Sequence, residues 1–307
     1  MRVLRTADDR FSNLVGFNFS PHYSHVQAGD SDTDTLRVHY LDEGDQDARE
    51  TIVLLHGEPS WCYLYRKMVG PLTDSGYRVI APDLVGFGRS DKPASRTDYT
   101  YSRHVEWMRS LLFDELDLDS VTLFCQDWGG LIGLRLVADH GDRFRRVIAA
   151  NTGLPTGDAP ANEAFLNWQK FSQEAPELPV GTIIELGTLN ELGADVAAAY
   201  DAPFPDETYK EGARQFPLLV PTSRDDPAHD DNVRAWESLR SFNKPFLCAF
   251  GDGDPITRGA DKQFIAEIPG ASGQPHVTVE GGGHFIQEDR PEALVEVIRA
   301  FVGRDAR

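Results

Sequence analysis

Seven short apolar runs rich in β-branched residues recur along the chain, closed by Gly or Asp and followed by longer amphipathic stretches. Strands that alternate with helical stretches cannot pair as hairpins. They return through crossovers and build a largely parallel sheet with helices on both faces. The predicted strands are 36–41, 51–55, 78–81, 121–124, 146–150, 245–250 and 276–279, with helices near 64–72, 103–116, 130–140, 261–268 and 291–302. Pro291, just after Asp289, suits an early helical position. The alternation breaks over 155–227, where prolines are frequent and apolar residues follow helical spacing. This stretch reads as a helical cap inserted into an α/β core made of 1–154 and 228–307, and 307 residues are enough to bury such a core.

Charge narrows the partners. Acidic residues outnumber basic ones 49 to 30, and a net charge of -19 repels phosphate backbones and anionic lipid headgroups. Nucleic-acid and membrane binding are therefore poor readings. Only six of the basic residues are Lys, a surface that suits high salt, although an Arg-biased genome produces the same bias. Cys62, Cys125 and Cys248 are odd in number and widely spaced, so neither a disulfide framework nor a zinc site follows, and a reducing cytoplasm is expected. The first ten residues are charged and lack the apolar core of a signal peptide, and no stretch approaches the roughly 20 apolar residues of a membrane span.

Chemistry concentrates where the predicted strand 121–124 runs through Cys125-Gln126-Asp127-Trp128-Gly129-Gly130 into a helix. In a nucleophile elbow, G-x-S-x-G, small residues flank the nucleophile because strand and helix backbones pack closely and push the central side chain above the sheet. Asp127 takes that central position, with Gly129 and Gly130 behind it and Cys125 where Gly is usual. Read alone, Asp127 also fits a helix N-cap. A triad on such a sheet further needs an acid and then a histidine, each at a later strand end. Asp254 follows the run 245–250, and His284 follows Gly281-Gly282-Gly283 after 276–279. Asp252 competes for the acid role, and Gly-x-x-Asp spacing favours Asp254. Upstream, His56-Gly57-Glu58-Pro59 puts the Glu58 backbone N–H in position to form an oxyanion hole with that of Trp128.

An aspartate nucleophile selects the reaction. Serine displacing a leaving group from saturated carbon would form an ether that activated water cannot cleave. Aspartate forms an ester, which water can attack at its carbonyl, regenerating Asp127. Substitution at sp³ carbon follows: haloalkane hydrolysis or epoxide opening. An epoxide oxygen leaves as an alkoxide and needs an acid such as Tyr, whereas a halide needs only desolvated donors. Indole N–H suits the latter, since it donates without accepting and its ring stays apolar. Trp128 is one candidate and Trp168, in the cap, the second, though Trp168 beside Phe165 and Phe171 also reads as a cap-core aromatic.

The segments 55–68, 79–83, 86–93 and Gln126-Asp127-Trp128-Gly129-Gly130, with 202–206 and 283–288, resemble the haloalkane dehalogenases of the α/β-hydrolase fold. The similarity is strongest to the subfamily whose acid follows the late strand and whose second halide donor is a cap Trp. It implies that fold, a mostly parallel sheet with an inserted helical cap. It also implies Asp127 as nucleophile, His284 as base, Asp254 as its orienting acid, and Trp128 and Trp168 as halide donors. A related subfamily uses Asn directly after His-Gly as a halide donor; this chain has Glu58 there, which moves weight onto Trp168.

Two alternatives stand beside this reading. Epoxide hydrolases share Asp-Trp-Gly-Gly but usually carry His before the nucleophile, Phe after His-Gly and paired cap tyrosines. Gln126 and Glu58 depart from that pattern, while Tyr200 and Tyr209 are compatible with it. A ligand receptor that keeps the pocket without turnover is the other. No metal or organic cofactor is implied. The expected ligands are a small halogenated aliphatic compound and halide ion, acted on by a monomer or weak homo-oligomer.

Overall fold

The computed structural model describes residues 1–29 and 34–306. Eight strands form one sheet: β1 (His22–Gln27), β2 (Thr35–Glu43), β3 (Thr51–Leu55), β4 (Arg78–Pro82), β5 (Val121–Gln126), β6 (Phe144–Ala150), β7 (Phe246–Gly251) and β8 (Val277–Val279). Their order is β8-β7-β6-β5-β3-β4-β2-β1. β2 pairs antiparallel with β1 and β4, and every other pairing is parallel. At the centre Leu55 lies opposite Cys125, and Cys125 opposite Ala149. All six residues of β5 are buried, which is why its sequence runs apolar without alternation: helices cover both faces.

The helices are α1 (Arg66–Thr73), α2 (Tyr101–Arg109), α3 (Trp128–Asp139), α4 (Glu163–Glu174), α5 (Val180–Leu186), α6 (Ala194–Asp201), α7 (Glu211–Leu219), α8 (His229–Leu239), α9 (Ala260–Glu267), α10 (Ile286–Asp289) and α11 (Pro291–Val302). α2 and α8 pack on α3, while α1 packs on α11. Pro291 opens α11, where its missing N–H removes no helical bond. Between β6 and α8 the described chain contains the four helices α4 to α7 and no strand.

Several elements differ from the sequence reading. The helix expected over 103–116 is α-helical only to Arg109 and continues as a π-helical turn over Ser110–Glu115, with the Leu116 N–H donating to Leu111 O at 3.0 Å. β1 was not expected: it is an edge strand with one buried residue, Val26, so it carries little apolar signal. α8 was not expected either. Its buried face, Asn232, Ala235, Trp236 and Leu239, includes a polar residue, and its first turn is acidic.

Candidate active site

The carboxyl ends of β5, β6, β7 and β8 converge, and each supplies a polar group. Asp127 sits between β5 and α3 with φ 52° and ψ -127°, a conformation that is costly for a residue bearing a Cβ. Two glycines make the turn possible. A Cβ on Gly129 would come within 2.1 Å of Leu55 O, and one on Gly57 within 2.1 Å of Asp127 Oδ1. That close approach lets the Glu58 backbone N–H donate to Asp127 Oδ1 at 2.8 Å. Trp128 is the first residue of α3, where a backbone N–H has no acceptor within the helix.

His284 lies between two carboxylates. Its Nε2 is 3.4 Å from Asp127 Oδ2 and its Nδ1 is 3.1 Å from Asp254 Oδ2. Asp254 is buried and also accepts the Ile256 N–H at 2.8 Å and the Thr257 hydroxyl. Asp252 is exposed and accepts the Gly281 N–H at 2.8 Å instead, so the competing acid faces away from the ring. Burial pushes His284 down, but Asp254 and Asp127 outweigh it and raise the imidazole to about 10. Burial pushes Asp254 up, yet the neighbouring imidazole and these hydrogen bonds hold it down to about 2.

Other polar residues here were not assigned from sequence. Asn151, at the end of β6, ties three strand ends together. Its Nδ2 donates to Gly283 O at 2.7 Å and His284 O at 3.1 Å, its Oδ1 accepts the Gly251 N–H at 2.7 Å, and its carbonyl accepts the Asp127 N–H at 3.0 Å. The available signal was a polar residue directly after a strand, at the sheet end where sites form. Gln126 donates from Nε2 to His284 O at 3.1 Å. The Glu58 carboxyl is buried and its Oε1 has no hydrogen-bond partner. Burial and the adjacent Asp127 charge raise it well above the usual carboxylate range, with His284 and the Trp168 indole opposing.

These groups open onto a cavity of about 1070 Å³. Trp128 lines it with its ring packed edge-on against Tyr101 and Phe216, at centroid distances of 4.9 and 4.6 Å. Trp168 lines it from α4, half-buried, with Phe171 6.0 Å away between ring centroids, so both readings of this residue meet at one position. Tyr200 and Tyr209 are elsewhere. The Tyr200 hydroxyl donates to Glu288, and neither Tyr200 nor Tyr209 is among the described lining residues. A half-buried carboxylate, a histidine that can exchange a proton, backbone donors and an apolar chamber can together carry out substitution and ester hydrolysis.

Comparison with known proteins agrees with this chemistry. The family model for the alpha/beta hydrolase fold matches residues 50–291. The chain is 59% identical to a haloalkane dehalogenase of Psychrobacter cryohalolentis, covering 100% of both chains. It is 54% identical to one of Mycolicibacterium paratuberculosis over 98% of each. Among solved structures, the tetrameric haloalkane dehalogenase DpaA from Paraglaciecola agarilytica superposes with a TM-score of 0.89 at 38% identity, covering 97% of each chain.

Proposed function

The chain belongs to the haloalkane dehalogenase family of the α/β-hydrolase fold, and from that membership we propose that it hydrolyses haloalkanes to alcohol, halide and a proton. In this reading an Asp127 carboxylate oxygen attacks the halogen-bearing carbon. The new C–O bond forms as the C–X bond breaks, and halide leaves with the bonding pair between the Trp128 and Trp168 indoles. Water, losing a proton to His284, then attacks the ester carbonyl. The N–H groups of Glu58 and Trp128 hold the resulting oxyanion; its collapse breaks the bond to the alkyl oxygen, which takes the proton back from His284 and leaves as alcohol, and Asp127, released as the acid, gives up its proton to solvent.

One observation carries the proposal: Asp127, His284 and Asp254 form a continuous chain, with 3.4 and 3.1 Å links, of which Asp127 and His284 face the floor of the cavity. Residues 155–227 act as the cap over that floor, and 1–154 with 228–307 as the core. Three buried free cysteines suit a reducing cytoplasm, and among the described residues no helix is long and apolar enough to cross a membrane.

The test is halide release measured over chloro-, bromo- and iodoalkanes of graded length with an epoxide control. Halide and acid production without added metal is expected, and diol from the epoxide with no halide from any haloalkane would overturn the assignment. Trp168→Phe should weaken halide binding by about 1.5–3 kcal/mol, the worth of a hydrogen bond to a charged group. Unaltered halide affinity and rate would return Trp168 to the role of a packing aromatic.

A further inference from the structure

We propose that the preferred substrates are long, unbranched apolar halides whose tails lie on a lip of the cap formed by Leu186, Leu189 and Phe171. The inference rests on the dehalogenase reading and concerns the same cavity. At about 1070 Å³ the chamber stands at the upper end of the roughly 300–1,000 Å³ of pockets that hold drug-sized ligands, far more than a two- to four-carbon haloalkane fills. Its lining runs from Asp127 out to these three side chains, which are 81%, 58% and 45% exposed. Large apolar groups this exposed, all three lining one cavity, are a departure from default burial.

The lip is also held in place. Asp289, itself buried, accepts the Leu189 N–H at 3.0 Å and the Asn190 N–H at 2.9 Å, and it accepts the Gly283 N–H at 2.8 Å with the same carboxylate. The Phe285 N–H donates to Gly187 O at 3.2 Å, and a Cβ on Gly187 would meet the Phe285 ring at 2.7 Å. The Leu189 side chain rests over Gly253, where a Cβ would come within 2.7 Å of it. Leucines on a backbone fixed this firmly stay presented to whatever enters the chamber. An unbranched hydrocarbon tail matches both the shape and the polarity of the surface, and each methylene that leaves water on it favours the bound state.

The experiment compares kcat/KM for 1-bromobutane, 1-bromooctane and 1-bromododecane at one co-solvent content. It uses the parent protein, the double variant Leu186→Ser/Leu189→Ser, and Leu218→Ser as a control. Leu218 is 42% exposed on α7 and is not among the described lining residues. The parent should gain with chain length, up to about fourfold per methylene that reaches the lip. The double variant should fall at least tenfold further on bromododecane than on bromobutane, and Leu218→Ser should follow the parent. Halide from bromobutane with no gain in length overturns this inference alone, as does a double variant that lowers all three substrates by one factor. A double variant with the parent's length profile but a smaller native mass would instead assign the lip to contact between copies of the chain. No halide from any bromide would overturn this inference and the dehalogenase reading together.

Discussion

Held between two carboxylates, His284 has a proton affinity that depends on what Asp127 carries. With Asp127 charged, the ring is raised to about 10 and is protonated at neutral pH. Alkylation of Asp127 replaces a carboxylate 3.4 Å from Nε2 with a neutral ester, leaving only Asp254 to stabilise the imidazolium, so the ring becomes able to accept the proton of water. Where ester hydrolysis limits turnover, kcat should therefore rise with pH along an ionisation lying below the free enzyme's value of about 10, while single-turnover halide release stays flat over the neutral range. A kcat that falls steadily from pH 6 to 9 would contradict this. Replacing the ring separates the steps outright. Under the proposed mechanism His284→Gln keeps the Asp127 carboxylate and removes the group that takes the proton of water, so it should release about one halide per molecule and stop with an alkyl group on the peptide containing Asp127. Intact-mass analysis and peptide mapping read this directly: an adduct elsewhere removes Asp127 as nucleophile, and turnover at the parent rate removes His284 as base.

At the scale of elements, the site is built by loops at four neighbouring strand ends, and one carboxylate joins the last of them to the segment that follows α5. Asp289, closing α10, binds both the Gly283 N–H, directly before His284, and the Leu189 and Asn190 N–H groups beyond α5. Asp289→Asn replaces one acceptor oxygen with a donor that faces a backbone N–H. It should destabilise the fold by about 1.5–3 kcal/mol. Because Gly283 carries the His284 backbone, the variant should keep its first-turnover halide burst and slow in the steady state several-fold. Thermal melts with burst kinetics check this, and burst and steady state slowing together would make Asp289 a merely structural residue. Little of this joint was legible in the sequence. Asp127, Asp254 and His284 stood out because a strand followed by a tight turn marks where such groups must sit, and that rule works one strand at a time. Asn151 and Asp289 act by bridging segments distant in the chain: Asn151 reaches Gly251 and Gly283, and Asp289 reaches Leu189. For Asn151 the only local signal was its place directly after a strand, and for Asp289 nothing local distinguishes it from a solvated carboxylate. The central strands were legible because their residues are uniformly apolar, whereas β1, with one buried residue at a sheet edge, offered no comparable contrast.

Across the whole molecule the charge surplus is 49 acidic minus 30 basic residues, or 19 carboxylates that no cation of the chain can neutralise. Some of the crowding is visible locally. Arg143 lies 3.6 Å from Asp117 and 3.9 Å from Asp119, two exposed carboxylates sharing one guanidinium. Such a surface has two electrostatic components with opposite responses to salt. Ion pairs such as Arg109 with Glu106 and Asp114, at 2.8 and 2.7 Å, are stabilising and short-ranged, and exposed pairs contribute little each. The mutual repulsion of the surplus acts over the whole surface and opposes compactness. Between about 0.01 M and 1 M salt the screening length falls from about 30 Å to about 3 Å, which removes nearly all of the long-range repulsion while contacts under 4 Å are only partly screened. Raising KCl over that range should therefore raise the thermal midpoint, by roughly 1.5–3 °C if one to two kcal/mol of repulsion is relieved. Melting curves at fixed pH across a KCl series decide the matter. A midpoint that falls would mean that short ion pairs dominate the surface, and one that stays level would mean that the excess carboxylates are too dispersed to strain the fold, so that their number answers to solubility instead.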